Sequence, residues 1–155
     1  MKIFNSGGGY DTELNMRSVF LAGPTLRGDD KNKYPNWRND AVQYFQDAKF
    51  DGALYIPEPM KSDYGAQIDW EVYHLERATA ILFWVPRSTD VLPGFTTNIE
   101  FGEWMRSGKI VLGCPPDAEK MRYLIYRAKK YGAPVLDNLQ DTVNAAIDLT
   151  KRMKE

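Results

Sequence analysis

Short apolar runs that stop at Gly or Pro alternate along the chain with segments of helical spacing. SVFLAGP (18–24), GALYIPEP (52–59), AILFWVP (80–86), KIVLGCP (109–115) and APVL (133–136) each read as a buried strand. A strand covered on both faces has no need of polar alternation, and AILFWVP, the most apolar run, is expected at the centre of a sheet. Between the runs, WRNDAVQYFQDAKF (37–50) has Trp37, Ala41, Tyr44, Phe45 and Ala48 on one side of a helix. AQIDWEVYHLERAT (66–79) repeats Ile68, Val72 and Leu75 at helical spacing. NIEFGEWMRSG (98–108), DAEKMRYLIYRAKKYG (117–132, closed by Gly132) and LQDTVNAAIDLTKRMKE (139–155) complete the helices. Strands alternating with helices predict a parallel sheet covered on both faces, an α/β fold. About five strands in a chain of this size predict a flavodoxin-like three-layer sandwich with a five-stranded parallel sheet. KIF (2–4) is either an added edge strand or an arm. Residues 1–155 are read as a single domain.

The totals remove several classes of function. A net charge of −1 without a dense basic run argues against polymeric nucleic acid, which demands many phosphate contacts. No apolar run is long enough to cross a bilayer, so no membrane partner is expected. The opening MKIFNSGGGYDTELNMR lacks the apolar core of a signal peptide, and a single cysteine forbids an intrachain disulfide; a cytoplasmic location is the expectation. Cys114, inside IVLGC, reads as an inert buried thiol. The one histidine, His74, lies mid-helix with no nucleophile motif near it and reads as structural. One His and one Cys cannot make a zinc set, and neither GxGxxG nor the P-loop signature is present. Tyr10, Tyr34, Trp37, Tyr64 and Trp70 fall in loops or polar contexts. They either stack on a flat ring such as a nucleobase or belong to core and subunit interfaces.

Ligands of parallel α/β sheets bind beyond the carboxyl ends of the strands, which gathers AGPT, PEPMKSD, VPRSTD and CPPD on one rim. Gly23 and Pro24 follow the first strand, where a glycine lets backbone approach a ligand closely. Asp69 and Glu71 point about 200° apart on their helix, so only one can face the site. Glu71, beside the apolar stripe, is the choice for chemistry, and Asp69 remains a binding candidate. In PGFTTNIEFGEW, Thr97 and Asn98 suit a helix start whose free N–H groups can hold an anion. Glu100 stands three residues after Thr97, the spacing of a capping box, and also immediately beside the buried stripe of Phe101, Trp104 and Met105. It is therefore either a cap or a reacting carboxylate. Arg87 and Asp90, after the central strand, are the remaining binding candidates, Arg87 for a phosphate or carboxylate.

VFLAGPT, NWRNDAV, YIPEP, IDWEVYHLERATAILFWVPR, PGFTTNIEFGEWMRSGKIVLGCPPDA and RYLIYRAKKYGAPV together resemble the nucleoside 2-deoxyribosyltransferase-like family. The resemblance implies a flavodoxin-like homo-oligomer that acts on a small-molecule nucleoside or nucleotide with no cofactor and no metal. It also implies that Glu100 is the nucleophile, matching the family's glutamate at the helix after the central loop. By helix register Glu71 matches the family's sugar-positioning acid, an Asp-to-Glu change. Departures are Gly94, where better-known members carry an acid, and Phe20, where they carry a tyrosine. Two other readings stand beside this one. PGFTTNIE loosely echoes the PGGxGTxxE loop of nucleoside-monophosphate phosphoribohydrolases, one residue shorter and without two of the glycines. A non-catalytic nucleotide-binding module is the other.

Overall fold

The computed structural model describes residues 1–13 and 16–152. Six strands form one parallel sheet: β1 (Lys2–Asn5), β2 (Ser18–Ala22), β3 (Ala53–Ile56), β4 (Ala80–Trp84), β5 (Ile110–Gly113) and β6 (Val135–Leu136), in the order β1-β3-β2-β4-β5-β6. The expected count of five is corrected to six, because KIF is a true edge strand: Lys2–Asn5 runs in register with Ala53–Ile56. Strands β2 to β6 keep the doubly wound order of flavodoxin-type sheets; the extra edge departs from it. β4 lies in the interior of the sheet, as its composition demands.

The helices are α1 (Asp30–Lys33), α2 (Trp37–Asp47), α3 (Tyr64–Arg77), α4 (Phe95–Trp104), α5 (Arg122–Lys130) and α6 (Leu139–Arg152). The final residues of the last expected helix, 153–155, lie outside the described residues. Alternate strand residues divide the core. Phe20, Tyr55, Ile81, Phe83 and Leu112 pack with Trp70, Leu75, Phe101 and Leu124 of α3, α4 and α5. Val19, Leu21, Leu82, Trp84 and Val111 pack with Trp37, Ala41, Phe45, Val143 and Ala146 of α2 and α6.

One helix is rotated from expectation. In α3 the buried positions are Gln67, Trp70, His74 and Leu75, while Ile68 and Val72 are exposed. The aromatic pair Trp70 and His74 pulls that side inward: their rings lie 4.0 Å apart, and the Trp70 indole donates to the Gly9 carbonyl at 3.1 Å. In α2 the expected side faces inward, with Trp37, Ala41 and Phe45 buried; Arg38 is buried with them, and Ala48, just past the helix, is exposed. Lys109, at the start of β5, closes the far end of α3. Its ammonium donates to the carbonyls of Leu75, Glu76 and Ala78 at 2.7, 2.9 and 3.0 Å and lies 4.2 Å from the Trp104 ring centroid. These are carbonyls that a helix end leaves without partners.

Candidate active site

All strands being parallel, the loops after β2, β3, β4 and β5 share one rim, and the chain leaves β2 and β4 toward opposite sides of the crevice between them. Gly23 follows β2 with φ 151°, and a Cβ there would stand 2.1 Å from the Trp84 carbonyl oxygen and 2.8 Å from the Trp37 ring. The chain's own packing therefore requires the glycine. Pro24 is buried, and its carbonyl accepts from the Trp37 indole at 3.0 Å.

The centre of the rim is Arg38, fully buried from α2. Its Nε donates to the Leu21 carbonyl at 3.1 Å and its Nη2 to the Gly23 carbonyl at 2.8 Å. Its Nη1 donates to Thr25 Oγ1 at 2.9 Å and to Glu58 Oε1 at 3.0 Å. The other Glu58 oxygen accepts from Asn36 Nδ2 at 2.7 Å. Arg38 also feels the charges of Glu100 and Glu71. The guanidinium is thus bonded to the Glu58 carboxylate after β3, and its charge reaches those of Glu71 on α3 and Glu100 on α4.

Glu71 accepts from Gln67 Nε2 at 2.7 Å, and Gln67, itself buried, also takes the Lys61 backbone N–H at 2.9 Å. Burial pushes the Glu71 pKa up, against the Gln67 bond and the charges of Arg38 and Arg27. Glu100 goes further: burial first, then the negative charges of Glu71 and Glu103, push it up to about 8 despite Arg38. Two neighbouring, half-buried carboxylates resist ionising together, so Glu100 holds its proton at neutral pH.

The capping role for Glu100 does not survive. Helix α4 begins at Phe95, three residues before the expected start; its N-cap is Gly94 at φ 68°, with no side-chain cap bond. The left-handed Gly94 fixes that start, and Glu100 falls in the second turn, beyond reach of the free N–H groups. Phe101, packed edge-to-face on Phe83 at 5.6 Å, turns the helix so that Glu100 lies at the crevice.

The other expected residues separate. Thr97 is buried in the first turn of α4. Arg87 is buried too: it donates to the Asn98 side-chain oxygen and, at 3.2 Å, to the Lys120 carbonyl, while its Nε has no partner. Asn98 is thereby engaged within the chain. Asp69 and Asp90 are exposed, and neither is among the charges acting on Glu71 or Glu100. Trp37 and Trp70 are core residues, whereas Tyr10, Tyr34 and Tyr64 are exposed. His74 is buried, with Nδ1 2.8 Å from the Trp70 carbonyl and Nε2 accepting the Asp11 N–H at 3.2 Å. A neutral ring satisfies both contacts, a structural assignment.

Residues 16–118 match the family described as nucleoside 2-deoxyribosyltransferase like. The chain belongs to that family. No curated protein matches it. Within the matched deoxyribosyltransferase-like span lie Arg38, Glu58, Gln67, Glu71 and Glu100. Sequence reasoning missed Arg38, Glu58 and Gln67 as site residues. A signal existed for the first, since Arg38 precedes Ala41 and Phe45 by three and seven positions and so shares the buried stripe of α2. A charged residue on an apolar stripe requires a buried partner.

Proposed function

We propose that this chain cleaves the N-glycosidic bond of a 2-deoxynucleoside or nucleotide through a glutamyl-deoxyribosyl intermediate, passing the sugar to another base or to water. The observation that carries the reading is the Glu100–Glu71 pair, carboxylates from α4 and α3 near the switch point of the sheet, both pushed toward the protonated form by burial, with the Glu71 charge acting on Glu100. Residues 1–155 are read as one domain built around this site.

In the first step a Glu100 carboxylate oxygen attacks C1′ and forms an ester as the C1′–N bond breaks. The bond's electron pair goes to the departing base, which needs a proton. The pair's retained proton fits that need once it resides on Glu71, leaving Glu100 anionic against the anomeric carbon. In the second step an acceptor base or water attacks C1′, loses its proton to Glu71, and releases Glu100 with net retention. With a pKa of about 8, about one Glu100 in ten is ionised at pH 7 before substrate arrives. Loss of the family acid at Gly94 leaves this work to Glu71.

The exposed apolar residues around the pair support a homo-oligomer. On α4, Phe95 and Ile99 are 77% and 72% exposed, and Gly102 continues their stripe with nothing near its Cβ position. On α3, Ile68 and Val72 are exposed on either side of Glu71. A helix-interior glycine costs about 1 kcal/mol against alanine, and here no contact within the chain explains it. A second copy laid along this stripe would approach closely at Gly102 and exclude water from the carboxylates. Light scattering on Ile99→Asp checks this: the reading expects a monomer, and an unchanged mass removes it.

The test of the function is release of free base from a panel of 2-deoxynucleosides and their 5′-monophosphates. The wild type is expected to release base and Glu100→Gln to lose at least about a thousandfold. Binding without release from any donor would favour the non-catalytic module. A strict need for 5′-phosphate would favour the phosphoribohydrolase reading.

A further inference from the structure

We propose that Arg38 and Glu58 form a charge-metering pair for this site: Glu58 neutralises Arg38 and so limits how strongly that guanidinium stabilises the Glu100 and Glu71 carboxylates. The inference rests on the reading of Glu100 as the reacting carboxylate, and both residues act as positioning residues.

The geometry sets the pair apart from an ordinary loop tie. Arg38 is 2% exposed, and bonds to Leu21, Gly23 and Thr25 hold it against the loop after β2, so its charge cannot swing away. Asn36 holds Glu58 on the other side. A fixed, buried cation acts on carboxylates nearby, and a fixed anion at 3.0 Å offsets much of that action. Four of the five guanidinium N–H donors are engaged by these partners.

The groups that bear on the balance are few. Arg38 faces Glu58 from the end of β3, Glu71 from α3 and Glu100 from α4. Glu100 also feels Glu103 of its own helix. Glu71 also feels Arg27, exposed on the loop after β2, and the Gln67 amide. Removing the Glu58 charge leaves Arg38 acting fully on the pair, so Glu100 ionises at lower pH. Removing the Arg38 charge does the opposite. A merely structural pair would show no such mirror image, because breaking either member would loosen the same loop.

The test is the titration of the Glu100 carboxyl by carbon NMR, assigned by the signal lost in Glu100→Gln, alongside the pH profile of kcat/KM. Glu58→Gln is expected to lower the Glu100 midpoint by about one pH unit, Arg38→Met to raise it by a similar amount, and Arg38→Lys to restore it toward wild type. Shifts in the same direction, or no downward shift in Glu58→Gln, overturn the proposal. Glu58→Gln alone decides if Arg38→Met fails to fold. The NMR midpoints do not depend on turnover, so failure of the catalytic reading would leave them intact. Conversely, an active enzyme whose midpoints ignore both substitutions would sink only the metering role.

Discussion

Glu100→Gln should make the protein more stable while abolishing turnover, and the gain should appear only as pH rises. The Glu100 pKa stands at about 8 against an ordinary 4.5, because burial and the Glu71 charge disfavour the carboxylate. A carboxyl raised in the folded state binds its proton more tightly there than in the unfolded chain. Stability therefore falls as pH climbs between those two values, and the full penalty is present above the upper one. At about 1.4 kcal/mol per pKa unit, the ceiling is on the order of 5 kcal/mol. Water at the partly open rim solvates the charge, so about 1–3 kcal/mol is the expected gain. For a chain of this length that corresponds to a rise in Tm of roughly 2–10 °C. Denaturant titrations of both proteins between pH 4 and 9 would read it. The two stabilities should converge toward pH 4, below the ordinary value of 4.5 where Glu100 is largely neutral in both states, and separate above it. A constant difference across the range, or a wild type more stable at pH 9, would refute the assignment of a costly buried charge to Glu100.

Two other outcomes follow from the same geometry. The kcat/KM of the wild type should fall as pH rises through about 8, where the pair loses the proton that the departing base needs, and Glu71→Gln, which removes that acid, should reduce kcat and abolish the falling limb; a falling limb that persists in Glu71→Gln would mean that Glu71 does not carry the proton. Lys109→Met should cost about 1–3 kcal/mol by stripping the donor from three carbonyls at the end of α3, measured by denaturation, with activity per folded molecule retained.

Much of the fold was legible because burial on both faces leaves unbroken apolar runs, and those runs became β2 to β6. β1 escaped a firm assignment because KIF is short and lies at an edge, where only its pairing with Ala53–Ile56 makes it a strand. The face of α3 was misjudged, and Arg38 of α2 was overlooked, for one reason: buried polar side chains do not announce themselves by hydropathy. Gln67, His74 and Arg38 are inside because hydrogen bonds satisfy them, while Ile68 and Val72 are outside. Glu100 and Glu71 were singled out beside apolar positions and through the family's motifs; Phe101, next to Glu100, is indeed buried, whereas Val72, which marked Glu71, faces outward. The start of α4 was misplaced because Thr97 and Asn98 are good N-caps in general, whereas a left-handed Gly94 fixes the actual one. Arg87 looked free in sequence, and only folding showed it committed to Asn98 and Lys120.

The central claim is a covalent bond to Glu100, and the most direct measurement is intact mass followed by peptide mapping. The protein would be incubated with 2-deoxynucleosides, their 5′-monophosphates, and donors carrying fluorine at C2′, which slows hydrolysis of the ester by destabilising the oxocarbenium-like transition state. The account predicts one added deoxyribosyl group, or its fluoro counterpart, on the peptide containing Glu100, with free base released and no adduct on Glu100→Ala. Base released without any adduct, or an adduct that persists in Glu100→Ala, would contradict it.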